Sequence, residues 1–274
     1  MNALDDDTKP SSDIHSLKLL YPDLVEYGSL CRLLQSHLNA IGSPLRMEDL
    51  DKTVDERTNC WAFVKSNARS SQPVIAALER LFLLDLWERG VHLASVKTPS
   101  PREAAQILDQ WIAVNIPLRE LCQQFPPIES DPCAGSYAAG PAEYIEWRWA
   151  QLHRSIAADR FLSVLAPVAD LAHPHPKLGK LMPFTSLQSL CFSQCTGYPF
   201  IVPCPVIVPI THPDSLAAGV EPQYEVRGDG NRALAQGNAE VVIEFVATAL
   251  PPNFEPAFHG TAEERVTGNT SLAT

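Results

Sequence analysis

Four residues lying close together in this 274-residue chain carry side chains suited to nucleophilic or binding chemistry: Ser193, Cys195, Thr196 and Tyr198. A hydroxyl or thiol becomes a nucleophile when a neighbouring base takes its proton, so catalysis by Ser193 or Cys195 would need a histidine from elsewhere in the chain. Thr196 and Tyr198 extend the pair into the densest polar and aromatic patch of the sequence. Such a patch can line a pocket for a peptide or small molecule. It can equally be a turn pinned by side-chain hydrogen bonds. Both readings stand on the sequence alone.

Other reactive side chains have weaker patterns. Cys191, Cys195 and Cys204 are close in sequence, but a zinc site usually needs two well-spaced ligand pairs and no second pair follows. No metal site is expected, and the period of two along a strand puts Cys191 and Cys195 on one face, as small apolar side chains. His173 and His175 alternate with prolines, which turns them in different directions on a surface linker. His92, between Val91 and Leu93, is expected on the solvent face of a hairpin. Asp85 lies inside the apolar run Leu83-Leu84-Asp85-Leu86-Trp87, where a charge is costly unless paired, and Arg80 or Arg89 is the expected partner. There is no Gly-x-Ser-x-Gly elbow and no glycine pattern for a nucleotide phosphate, so no cofactor is expected.

The elements that must position these residues follow from periodicity. Leu17, Leu20, Leu24, Tyr27, Cys31, Leu34 and Leu38 form a helical stripe, expected to divide at Pro22. Cys60–Val64 is a short run of strand length. Arg80–Trp87 and Val91–Val96 flank Glu88-Arg89-Gly90 as a β-hairpin, although Ala76–Leu84 also fits a helical period. Ser100, Pro101 and Glu103 make an N-cap, N1 and N3 set for a helix through Trp111 that stops near Asn115. A second short helix spans Leu118–Phe125. Pro141 starts a helix with the stripe Ile145, Trp149, Leu152 and Ile156, and another covers Asp159–Leu171, bent at Pro167. Leu187–Ser193, Pro205–Ile210 and Gln223–Arg227 read as strands. Asn238 caps a last helix that ends at Pro251-Pro252.

These elements predict an α+β fold: a small mixed or antiparallel sheet with hairpins packed by helices, and a helical N-terminal extension. Residues 1–12 are expected to be a disordered leader and 13–56 the helical extension. Residues 57–130 hold the hairpin plus helices, and 135–260 hold helices, a β-rich region and the final helix, with 57–260 one domain or two. Residues 261–274 form a flexible tail.

Composition narrows the setting. Hydrophobic residues make up 45% and charged residues 19%, enough apolar content for a sizeable core. A net charge of −11, without a basic run, excludes nucleic acid as a natural partner. No stretch approaches the ~18 apolar residues of a membrane helix. Asp5, Asp6 and Asp7 stand where a secretory signal would be basic. Seven cysteines, an odd number with irregular spacing, fit a reducing compartment, and the cytoplasm is the expected location.

Two stretches carry a resemblance. Leu81–Ala94 with the following helix, and Leu181–Phe200 with its Ser193-Gln194-Cys195-Thr196 core, resemble the bacterial family known as domain of unknown function 6193. The helix at 239–250 and Gly260-Thr261-Ala262-Glu263 extend the likeness, which covers roughly residues 58–264. The resemblance implies association with natural-product biosynthesis, including that of modified peptides. It implies an uncharacterised accessory or interaction protein that binds a precursor peptide or a pathway enzyme. The alternative is a small enzyme acting on a pathway intermediate, with Cys195 or Ser193 as nucleophile. The family has no assigned catalytic residues to carry over, and Leu187 stands where it commonly has a histidine.

Overall fold

In the computed structural model, which describes residues 19–48, 60–216, 219–251 and 254–265, each strand pairs with its neighbours in sequence. The expected leader, Leu17, most of the linker after Met47, Pro252 and the end of the tail lie outside the described residues. The fold is α+β, but the expected small sheet is in fact two antiparallel sheets of five strands. The described residues group into two compact units. One runs to Glu88 and resumes over His92–Pro132; the other joins Arg89–Val91 to the chain from Cys133 onward.

The first unit begins with helices α1 (Pro22–Tyr27) and α2 (Leu30–Ala40). The stripe divides at Pro22 as expected, because the helical turn at Leu19-Leu20 ends before Tyr21, and it divides a second time at Gly28. Proline is tolerated at the first helical position, where its missing N–H has no partner to lose. Gly28 takes φ +80°, and Ser29 then caps α2 by accepting a hydrogen bond from the Arg32 N–H. Leu30, Leu33, Leu34 and Leu38 are buried against α3 (Pro101–Leu108).

The first sheet holds β1 (Val64–Ser66), β2 (Arg69–Ile75), β3 (Phe82–Glu88), β4 (Val91–Thr98) and β5 (Ile128–Ser130). Phe82, Leu84 and Leu86 alternate inward along β3, which settles the ambiguity at 78–87 in favour of strand. Ser100 caps α3 through the Glu103 N–H, but Glu103 does not close the box on the Ser100 N–H. Its carboxylate takes the Thr98 hydroxyl, and Thr98 Oγ1 accepts from Ser100 N.

After α3 the helix widens into a π turn, Asp109–Ala113, and α4 (Leu118–Gln124) follows. Arg69 closes that turn. Its guanidinium donates to Trp111 O (3.0 Å), Ile116 O (2.7 Å) and Glu88 Oε2 (2.9 Å), and lies 3.7 Å over the Trp111 ring. A cation this deeply buried is tolerable because every bond it makes is charge-assisted.

The second unit contains α5 (Ala134–Ala139), α6 (Pro141–Ala158) and α7 (Ala166–Ala172). The stripe Ile145, Trp149, Leu152 and Ile156 is buried on α6. Pro167 does not bend a long helix: it sits in the first turn of α7, after a 3-10 turn at Ser163–Leu165. The His-Pro repeat is more than a linker. His173 stacks on Trp149 at 5.0 Å, and His175 Nδ1 accepts from Lys177 N.

The second sheet runs β6 (Met182–Ser186), β7 (Ser189–Ser193), β8 (Val206–Pro209), β9 (Tyr224–Arg227) and β10 (Ala233–Gly237). Short α8 (Pro213–Leu216) lies between β8 and β9, and α9 (Ala239–Ala249) closes the unit, capped by Asn238 as expected. Leu187 is not in a strand: it forms the β6–β7 turn at φ +54°. Leu190, Phe192, Ile207, Tyr224 and Val226 are fully buried on the inner face, where Tyr224 Oη donates to Val164 O (2.7 Å). Among the described residues no helix is long and apolar enough to cross a membrane.

Arg69→Ala should lower stability by about 2 kcal/mol, because it leaves the Trp111 carbonyl of the π turn and the Ile116 carbonyl just after it without their donor. Asn238→Ala should lower it by about 1 kcal/mol. Urea midpoints measure both, and an unchanged midpoint for the arginine variant would remove the closing role given to Arg69.

Candidate functional site

β7 delivers Ser193 to a corner where the chain leaves the sheet. Ser193 Oγ donates to Cys195 O (2.7 Å), accepts from Cys195 N (3.0 Å) and lies 3.4 Å from Cys195 Sγ. The sulfur accepts from the Ile201 N–H at 3.2 Å and faces the carbonyls of Gly197 and Pro199 at 3.5 and 3.6 Å. Both residues are fully buried. Thr196 is buried as well, its Oγ1 3.3 Å from His259 Nδ1 and accepting from Gly260 N. His259 Nε2 is 3.0 Å from Tyr137 O. Three of the four sequence candidates therefore come together, and a histidine stands beside Thr196. Tyr198 points away: it is 70% exposed, with its ring edge-on to Phe200.

A strap from the C-terminal side of the chain seals this corner. Thr196 N donates to Phe258 O, Gly197 N to Gly260 O, Phe258 N to Gln194 O and Ala262 N to Pro199 O, at 2.8 to 3.2 Å. Residues from Thr261 to Arg265, read from sequence as part of a flexible tail, thus belong to the packed unit: Glu264 pairs with Arg89 at 3.1 Å, and Arg265 donates to Gln194. Side chains are excluded where backbones meet. A Cβ on Gly197 would fall 1.6 Å from Arg89 O, and one on Gly90 would fall 2.3 Å from Tyr198 O.

The other cysteines are equally quiet. Cys191 and Cys204 are buried, and burial pushes their thiols up to about 11 and about 12, so both are neutral at physiological pH. None of the seven cysteines is in a disulfide.

Toward the other end of β7, on the face that Ser193 shares with Cys191, the register creates a surface the sequence did not reveal. Leu190 pairs with Ile207 on the inner face, so Cys191 lies beside Val206 on the outer one, with Phe184 and Arg227 continuing the row. Val208 lies in the next row, beside Glu225. A solvated sheet face is normally polar. Here a hollow of about 1000 Å³ lies over Cys191, Val206, Val208 and Pro209, rimmed by Phe161 and Leu187. A second hollow of about 580 Å³ adjoins it, sharing Val206, Arg227 and Gly228. Leu187 is 95% exposed and Phe161 44%. No periodicity in one strand signals this face, because it is assembled from four strands and the segments between elements.

A third group gathers in the first unit. Ser95 Oγ donates to Asp85 Oδ1 (3.0 Å) and lies 3.2 Å from His92 Nε2, while His92 Nδ1 is 3.5 Å from Asp131 Oδ2. His92 Nε2 also faces Asp85 at 3.3 Å. The pairing expected for Asp85 is thus corrected: Arg80 forms a bidentate pair with Asp23 and Arg89 pairs with Glu264. Asp85 is solvent-facing and needs no arginine. Ser95 was missed in sequence because it lies three residues from His92. The burial pattern of β4 shifts phase at Leu93-Ala94, which puts both on one face.

Residues 143–261 match the model of a family described as a family of unknown function (DUF6193). The resemblance read in the sequence therefore holds over residues 143–261, within the second unit, and Leu81–Ala94 lies outside the matched stretch. No curated protein and no solved structure matches the chain.

Iodoacetamide at neutral pH should leave Cys191, Cys195 and Cys204 unmodified in the native protein and label them only after denaturation. Peptide mass mapping reads the result, and rapid native labelling of Cys195 would mean that the strap opens and exposes a usable thiol.

Proposed function

Starting from a chain whose residues 143–261 carry the DUF6193 signature, we propose that it acts by binding, as an accessory protein that holds an extended peptide on the outer face of its second sheet. The observation that carries this reading is a hollow on an open sheet face that groups Phe161, Leu162, Leu187, Val206, Val208 and Pro209 inside a polar border of Asp159, Ser186, Gln188, Ser189, Arg227 and Asn231. Contiguous apolar surface of this kind marks interaction sites, and the hollow is at the upper end of the size range of ligand pockets. The rim adds support. A leucine at φ +54° is strained and fully displayed at a turn that glycine would form more easily. Under the family resemblance the occupant is a precursor peptide of a bacterial natural-product pathway, met in the cytoplasm.

One observation favours a second reading. Asp131, His92 and Ser95 are ordered as an acid, a base and a nucleophile for acyl transfer. In that scheme Ser95 Oγ would bond to an acyl carbon as its proton passes to His92 Nε2, and His92 would return the proton to the leaving group before water releases the acyl group. Against it, the Ser95 hydroxyl is directed to Asp85. Labelling with a fluorophosphonate probe separates the two: the binding reading expects none, and labelling lost in Ser95→Ala would establish the hydrolase.

A displayed library of random decapeptides panned on the full chain should enrich sequences with spaced apolar residues, and Val208→Asp should abolish their binding. Leu187→Gly should raise stability by about 1 kcal/mol while weakening the same peptides. Enriched peptides that bind the Val208→Asp protein as well as the parent would end the proposal for this face.

A further inference from the structure

The smaller hollow has a chemistry of its own. Its walls are apolar, with Val202, Pro203, Pro205, Val206 and Leu234, and its mouth carries Arg227 and Arg232 against a single carboxylate, Asp229. Glu225 already balances Arg227, which leaves Arg232 and Asp229 as the opposed charges of the mouth. The two arginines differ in preparation. Arg227 is held by Glu225 Oε2 at Nε (2.6 Å) and by Asn231 Oδ1 at Nη1 (3.2 Å), which fixes its plane. The Arg232 side chain makes no hydrogen bond or ion pair among the described residues, so its charge is uncommitted; its carbonyl accepts from Gly228 N. The packing beneath them is close: a Cβ on Gly228 would fall 2.9 Å from Leu234 Cδ1, so a side chain there would push the leucine end aside.

From this geometry we infer that the hollow receives the C-terminal end of the bound peptide, with its last apolar side chain against the proline and valine wall and its terminal carboxylate on Arg232 and Arg227. A planar carboxylate matches the bidentate fork of a guanidinium. Asp229 disfavours a dianion such as phosphate, and the apolar wall offers a fully polar anion nothing to bury. Continuity supplies the direction: both hollows share Val206, Arg227 and Gly228, so a chain lying over Val208 leads into this one. The inference rests on the peptide-binding reading and narrows its substrate class to peptides with a free, apolar C-terminus.

Peptides enriched on the full chain, made as free acids and as C-terminal amides with a fluorophore at the N-terminus, test it by fluorescence polarisation. The free acids should bind at least tenfold tighter. Arg232→Ala should remove that difference while leaving the amide's affinity unchanged, and Arg232→Lys should restore part of it. Equal binding of acid and amide to the parent protein would overturn the terminus assignment and leave the sheet face standing as a peptide site. Displacement of the acids, but not of the amides, by millimolar inorganic phosphate would reassign the arginines to phosphate. Absence of any peptide binding would remove this inference together with the reading beneath it.

Discussion

Four backbone hydrogen bonds between the corner after β7 and the segment around Gly260 hold the second unit in its observed form. They join residues some sixty positions apart, so they form only once the intervening sheet and α9 are in place. Their geometry leaves no space for side chains: Gly197 approaches Arg89 O so closely that any Cβ would collide. Ser193 and Cys195 are spent within this joint, since the hydroxyl bonds the backbone on both sides of its own turn and the sulfur accepts an N–H. The part of the sequence richest in potential nucleophiles is therefore the part most occupied with holding the chain together.

Beyond that joint, the two faces of the same sheet are unlike. An antiparallel sheet covered on one face usually presents a polar second face to water. The inner face here is filled by Leu190, Phe192, Ile207, Tyr224 and Val226, and burial pushes the Tyr224 phenol up while its hydroxyl bonds Val164 O. The outer face carries Cys191, Val206 and Val208 beneath a rim of Phe161 and Leu187. A structural role explains the first set. The second has no covering element among its own lining residues, and that asymmetry is what gives the binding reading its physical content.

Much of the local structure was legible. The caps at Ser100 and Asn238 and the stripe on α6 depend on neighbours within one or two turns, and each stands where the sequence places it. Errors arose where two local signals compete. Pro167 read as a bend within one long helix, yet a proline costs nothing in a first turn, and only the position of the preceding 3-10 turn decides which case holds. Leu187 read as strand because it extends an apolar run, whereas a two-residue hairpin turn took it at positive φ. β6 was hidden by Pro183 and β10 by its small, uncharged residues.

Sequence by itself determined the α+β class, the helices capped by Ser100 and Asn238 with the stripe on α6, a family likeness that holds over residues 143–261, and the grouping of Ser193, Cys195 and Thr196. Those features are set by contacts within a few residues or by direct similarity. Tertiary structure alone decided that this group faces inward, that Asp85 meets His92 and Ser95 instead of an arginine, and that Val206, Val208 and Leu187 share one open face. The physical reason is register: which face a strand residue occupies, and which distant residue stands beside it, depends on how strands align across turns. A shift of one position would exchange the buried and open faces of the sheet without altering the composition of any strand.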